Sequence, residues 1–357
     1  MAAETVASPP VPPPKQPLYE ASTQFRNWRY SPEQLSAIRA SLNAAAVAVI
    51  RQTFEVEEPG SSSIVSFLTP DEELLLVKLY VTKITQLCGL FRFPEEVEAT
   101  AITYLKRFYL RNTVMDWHPK NVMLTALFLA TKTTNNPISL ETYTTHIPKT
   151  APSDVLDLEF LVAQSLGFEF AVWHAHRALW GLCLDIQNLP DCPSDTRELY
   201  DAALKHIRTS RLTDAELIYT PAQIALAALS LAAPELAHQW SISKMPPDAP
   251  HTSRLSAETL PSIMDAIKSL ITSSGHPPNI DSVREVDRRL KLCKNPEKVV
   301  GSQAYLAKKA EQEKKAEEKR NKKAVAVEQA IADGDPFGNE LAERRPGLVD
   351  YDDDDDD

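Results

Sequence analysis

Glycine is scarce in this 357-residue sequence, at nine residues, and aromatics make up only 7% of it. Both shortages disfavour glycine-rich phosphate loops and closed β architectures. Cysteine is limited to Cys88, Cys183, Cys192 and Cys293, dispersed and without a C-x-x-C pair. That excludes a zinc ribbon or a disulfide framework and favours a reducing, intracellular compartment. Positive charge is not in excess: the net charge is -11, and removing the seven charges of Asp350 and Asp352 to Asp357 leaves -4. A body so near neutrality lacks the broad positive field of a protein held mainly by nucleic-acid phosphates. The opening MAAETVASPPVPPPK has no apolar core, and no later run of about 18 uncharged apolar residues follows, so no secretory signal and no membrane span are expected. Nucleophile-elbow, Walker and kinase signatures are missing too, and no active site or cofactor is expected.

What is plentiful is proline, at twenty-seven, and it punctuates helices. PPVPPPKQP cannot be helical and is expected to be an extended tail, with order beginning near Tyr19. Ser31-Pro32 with Gln34 writes a capping box before LSAIRASLNAAAVAVIRQTF, and Thr69-Pro70 with Glu72 writes another before ELLLVKLYVTKITQLCGLF. Pro94 opens an amphipathic helix through EEVEATAITYLKRFYLRN. Pro119 opens KNVMLTALFLATK, apolar nearly all round and therefore expected at the centre of a bundle. Ser139 begins a short helix, and Ser153 is expected to cap DVLDLEFLVAQSLGF, closed by Gly167 in a left-handed conformation.

The pattern then recurs. Trp173 to Ile186 reads as an amphipathic helix, Ser194 as the cap of the next, and Thr220-Pro221 opens AQIALAALSLAAPE, again apolar on nearly every side. Pro221 stands to this half as Pro119 stands to the first, which implies a duplicated domain. HQWSISKMPPDAPHTS reads as a long loop, with a last helix starting near Pro261. DSVREVDRRLKLCKN is expected to be helical. QAYLAKKAEQEKKAEEKRNKKAVAVEQAIA is expected to be an exposed helix held by i,i+4 charge pairs, whose basic run from Lys308 to Lys323 is either a nuclear-import signal or a solvated face. The final aspartates are expected to be disordered.

Here the residues carry a resemblance. YLKRFYLRNTVMDWHPKNVMLTALFLATK and LTDAELIYTPAQIALAAL, together with QFRNWRYSPEQLSAIRASLN, resemble the two boxes and leading segment of cyclins, those of the H type above all. It extends from about Tyr19 to Lys298. The resemblance implies an all-α fold of two tandem five-helix cyclin boxes with N- and C-terminal helices and disordered tails. The expected divisions are 1-18 (tail), 19-63 (N-terminal helix and loop), 64-168 (first box, kinase-binding), 169-275 (second box), 276-332 (helical extension) and 333-357 (acidic tail).

Such a protein does no chemistry itself. The resemblance implies a nuclear regulatory subunit that activates a cyclin-dependent kinase acting on the RNA polymerase II C-terminal domain. Implied partners are that kinase, a RING-finger assembly subunit and core transcription factor IIH, with a link to nucleotide-excision repair; no direct nucleic acid or membrane is implied. Lys132 and Glu159 match the family's kinase-binding pair, with Phe91, Phe93, Leu105, Phe108 and Leu127 as surrounding apolar candidates. Trp28, Tyr30 and Leu35 are expected either to brace the first box or to touch the kinase. The chain departs from many cyclins in reading KTTNNP after Lys132, and it lacks the M-R-A-I-L substrate-docking motif. His174 and His176 would face apart on a helix and bind no metal, and Asp185, Asp191, Asp195 and Cys192 show no catalytic spacing. Two alternatives stay open: a transcriptional cyclin of a different kinase, and a transcription factor IIB-like DNA-binding protein, which the missing zinc ribbon disfavours.

Overall fold

The computed structural model describes residues 17–189, 195–244 and 251–332. Among them every regular element is helical. Two compact units result, one ending at Asn295 and one starting at Pro296. The proline tail before residue 17, the acidic tail after residue 332, Asp191, Cys192 and Ser194 lie outside the described residues.

Helix α1 (Thr23–Asn27) leads to α2 (Pro32–Glu57), which starts at the expected box: Ser31 Oγ accepts from the Gln34 N–H, and Gln34 Oε1 accepts from the Ser31 N–H. Thr69 and Glu72 do the same for α3 (Pro70–Phe91). Helix α4 (Glu95–Phe108) and α5 (Pro119–Thr133) follow, α5 capped by the His118 ring accepting from the Lys120 N–H. As expected, α5 is the buried axis of the first bundle, packed by α3, α4, α7 (Ser153–Leu156) and α8 (Glu159–Ser165), with α6 (Leu140–Thr145) beside it. Val122, Leu124, Ala126, Leu127 and Ala130 have no exposure. The sixth helix differs from expectation. Pro152 precedes it, Ser153 lies inside it, and it breaks at Asp157-Leu158, which makes Glu159 the first residue of a separate helix.

By composition and length alone α3 could span a bilayer. It carries Lys78 and Lys83, however, and its Leu76, Val77, Val81, Ile84 and Cys88 line the first core. An apolar stripe satisfied by neighbouring helices is the mark of a core helix.

The second bundle repeats the plan with α9 (Ala175–Ile186), α10 (Arg197–Ser210), the single turn α11 (Ala215–Ile218), α12 (Pro221–Ala232), α13 (Pro234–Ser243) and α14 (His251–Ser274). Its buried axis is α12, opened by a Thr220–Gln223 capping box. Two expectations are corrected. The stretch read as one long loop is helical from His238 to Ser243, the second half of α13, because Pro234 is a good first helical residue and Ala237 and Trp240 pack on the second core. Likewise α14 runs through Pro261: an internal proline removes one backbone hydrogen bond, while Leu260, Ile263, Met264, Ile267 and Ile271 keep the apolar face continuous.

Polar side chains join the bundles. Arg211, 5% exposed, reaches Glu95 at 2.7 Å and Glu98 at 3.2 Å, and Arg39 clamps Asp214 with two 2.7 Å bonds. Burial pushes the Glu95 and Asp214 carboxyls up, but the guanidiniums of Arg208 and Arg211, and of Arg39, overcome it and hold both below the usual carboxylate range. Helix α15 (Ile280–Leu290), expected to belong to a C-terminal extension, instead returns to the first core through Val283, Val286, Leu290 and Cys293. In the second unit α16 (Gln303–Ala332) has Ala304, Tyr305 and Lys308 half-buried in its first turns and is exposed from Lys309 to Gln329, with a Lys315–Glu311 i,i+4 pair.

Candidate partner-binding surface

The resemblance singled out Lys132 and Glu159, from two helices that need not meet. Because α5 ends at Thr133 and α8 begins at Glu159, the two side chains converge, and Lys132 Nζ pairs with Glu159 Oε1. The ammonium also lies 4.9 Å from the centroid of the Phe128 ring, one helical turn back. Partial burial lowers its pKa below the ordinary lysine value. Both partners remain accessible, 38% for Lys132 and 26% for Glu159, so each can still bond a partner's backbone.

Phe128 leads to further rings. It packs on Tyr143 at 5.5 Å, Tyr143 stacks on Phe91 at 5.4 Å, and Phe91 stacks on Phe93 at 5.2 Å. Phe91 and Phe93 are both half-buried, so a chain of ring contacts runs from Lys132 through the buried rings of Phe128 and Tyr143 to these two. The other apolar candidates are corrected. Leu105, Phe108 and Leu127 have no exposure, which leaves them no surface to offer; they are the packing beneath the face. Trp28 is 1% exposed and packs with Leu35, Leu110 and Leu217. Its Nε1–H donates to Glu169, and the Arg107 and Arg111 guanidiniums cover its ring. Of the two uses open to Trp28, the structure shows the brace. Leu35 is in the same cluster, with Tyr30 at its margin.

Two residues missed in the sequence stand beside the pair. Phe160, next to Glu159, is 70% exposed, and Phe168 is 55% exposed with its ring 6.1 Å from that of Phe160. Gly167 takes the expected left-handed conformation, but Phe168 takes it as well, at φ 57°. A left-handed non-glycine residue costs about 1–2 kcal/mol, and here the strained turn holds a large apolar ring out in solvent. The signal in the sequence was the apolar residue following a C-terminal glycine.

His174 and His176 do not face apart as expected. His174 has extended backbone ahead of α9, so the helical spacing argument fails, and the two rings stack at 5.1 Å. Burial drives the His174 pKa well down and that of His176 to about 4, leaving neutral rings, with His174 Nε2 bonded to Thr100 Oγ1 at 2.9 Å. Among the described residues no three His, Cys, Asp or Glu side chains gather as a metal site. Asp185 is engaged by Lys244 and by the Trp240 indole N–H.

Comparison with known proteins agrees with this geometry. Residues 62–171 match the family described as cyclin, N-terminal domain, and residues 174–272 match the cyclin C-terminal domain. The putative cyclin-H of Dictyostelium discoideum is 34% identical over 60% of this chain and 75% of its own length. A chain of the CAK complex of Chaetomium thermophilum bound to ATP-gamma-S superposes with TM-score 0.73 at 28% identity, covering 83% of this chain and 94% of that one. A chain of the yeast TFIIK complex gives TM-score 0.58 at 32% identity, covering 71% and 100%.

Proposed function

The chain belongs to the cyclin family, and from that premise we propose that it is an H-type cyclin, the non-catalytic subunit that binds and activates a cyclin-dependent kinase. The observation that carries the proposal is the accessible Lys132–Glu159 pair, flanked by the exposed rings of Phe160 and Phe168 on a rigid first bundle. A kinase is active only when its lysine–glutamate ion pair and its metal-binding aspartate are in place together. A partner surface favours that state if it binds it better than the inactive one. Here the aromatic rings would supply apolar burial against the kinase's mobile glutamate-bearing helix, and the ion pair would fix the register.

The same reading places the complex in the nucleus, acting on the C-terminal domain of RNA polymerase II and on kinase activation segments, with a RING-finger assembly subunit as third member. The reading extends to association with transcription factor IIH, supported by the likeness to chains of the CAK and TFIIK complexes, and through it to nucleotide-excision repair.

The test is to purify the chain with its co-purifying proteins and assay the eluate on a C-terminal-domain peptide, then repeat with Lys132→Ala and Glu159→Ala. Losing a desolvated charge partner costs about 2–5 kcal/mol of binding, and a rim position far less. Recovery of a cyclin-dependent kinase whose activity falls in both variants, at unchanged cyclin stability, supports the proposal. Undiminished activation by both variants overturns the assignment of the pair.

A further inference from the structure

Residues 166–174, between α8 and α9, join the first bundle to the second, and Phe168 stands in their opening turn at φ 57°. The usual glycine close of a helix accounts for only part of that turn. The Gly167 N–H donates to Gln164 O at 2.8 Å and the Phe168 N–H to Ala163 O at 3.0 Å, a pattern that needs one left-handed residue, Gly167. Phe168 is left-handed in addition, with a Cβ that disfavours it. A strained residue of this kind persists only where its surroundings over-determine it.

The constraint comes from the residues after it. Each carboxylate oxygen of Glu169 accepts a hydrogen bond, Oε1 from the Asn27 amide and Oε2 from the Trp28 indole N–H, and Glu169 O accepts from Arg107 Nη1 at 3.3 Å. The Tyr104 hydroxyl donates to Phe170 O at 2.7 Å. Gln24, 4% exposed, turns both ends of its amide on Trp173: Nε2 donates to Trp173 O at 3.2 Å, and Oε1 accepts from the Trp173 N–H at 2.7 Å. Gln24, Asn27 and Trp28, in or next to α1, thus all send polar atoms to the joining stretch. Phe168 is tied through its own N–H on one side and through Glu169 on the other, so relaxing the dihedrals between them would break a bond.

We propose that Glu169 is a positioning residue for kinase capture: anchored to Asn27 and Trp28, it holds Phe168 left-handed and so keeps that ring exposed beside Phe160, the two centroids 6.1 Å apart. This rests on the kinase-binding reading above. Glu169 need not touch the kinase. Once the anchor is lost, the remaining strain favours the relaxed turn about tenfold, and apparent affinity falls by the same factor because only the strained fraction binds. Helix α1, far in sequence from the proposed surface, acts on it through one carboxylate.

The experiment titrates the co-purifying cyclin-dependent kinase with the full chain, with Glu169→Ala, with Phe168→Ala and with the double variant, and follows amide hydrogen exchange in each free chain. Glu169→Ala should weaken capture about tenfold, Phe168→Ala at least as much, and the double variant no more than Phe168→Ala alone. Glu169→Gln, which keeps an acceptor oxygen, should restore part of the loss. Exchange in Glu169→Ala should quicken at the Phe168 and Glu169 amides while the middle of α5 keeps its protection, which separates a loosened turn from a loosened fold. A Glu169→Ala loss that persists in full on top of Phe168→Ala would make Glu169 a contact or a fold residue and overturn the positioning role. So would unchanged exchange at the two turn amides. Intact capture by both Lys132→Ala and Phe168→Ala would overturn the kinase-binding reading and this inference together, whereas capture lost in those two but intact in Glu169→Ala overturns this inference alone.

Discussion

Replacing Trp28 separates a brace from a contact. The side chain is 1% exposed, and a tryptophan of this kind buries about 150–250 Å², worth about 4–6 kcal/mol at 25 cal/mol per Å². Measured truncations of buried aromatics cost about 3–5 kcal/mol, which sets the expectation for Trp28→Ala. The loss falls on a buried cation as well: Arg107 stacks 4.7 Å from the Trp28 ring centroid, and burial pulls its pKa down to about 10, against the nearby carboxylates of Glu216 and Glu169 that favour its charge. Trp28→Phe keeps a ring beneath the guanidiniums but removes part of the buried volume and the indole N–H bond to Glu169, a hydrogen bond to a charged group worth about 1.5–3 kcal/mol. Urea unfolding of the purified chain should therefore rank parent above Phe above Ala, and the Ala midpoint in a thermal scan should fall by about 10 °C. If Trp28→Ala lowers stability by less than about 1 kcal/mol while weakening kinase binding, the bracing argument is wrong and the residue is a contact.

Other outcomes follow from the same geometry. Arg211→Met should cost about 3–5 kcal/mol, because it strands Glu98 and half of Glu95 between the bundles, whereas Arg208→Met, at a position 52% exposed, should cost under about 1 kcal/mol by denaturant titration. Thr220→Ala removes one side of a capping box and should cost about 1 kcal/mol, read as a shifted urea midpoint at constant slope. His176 has its folded pKa lowered to about 4 by burial, with Arg211, Arg177 and Arg208 adding to it and Glu95 opposing. The unfolded chain binds that proton more readily, so stability is full above pH 6.5 and is lost as pH falls toward 4. His176→Gln should flatten that part of a stability-against-pH curve.

Exposed Phe160 offers a check of another kind: Phe160→Ser should leave the unfolding midpoint within about 0.5 kcal/mol yet weaken kinase capture, and an unchanged affinity would remove the ring from the proposed surface.

Helix starts were legible because they are local chemistry. Ser31-Pro32, Thr69-Pro70 and Thr220-Pro221 each write their own cap within four residues, and all three boxes form. The two buried axes were legible for a similar reason: α5 and α12 are apolar on nearly all sides, which only a bundle centre can satisfy. The Lys132–Glu159 pair came from resemblance and is met by geometry. Which aromatic rings face out came from neither. Phe108 and Phe160 both follow a charged residue in an amphipathic helix, yet one is fully buried and the other 70% exposed. Periodicity marks a face of a helix but does not say what lies across from it. The stacking of His174 on His176, the return of α15 to the first core and the Arg211 clamp between bundles depend on residues far apart in the chain, or on a helix boundary one residue away. The sequence by itself thus determined the proline-marked helix starts, the two buried axes and the duplication; tertiary packing decided where α7, α8, α13 and α14 begin and end and which side chains were left over for a partner.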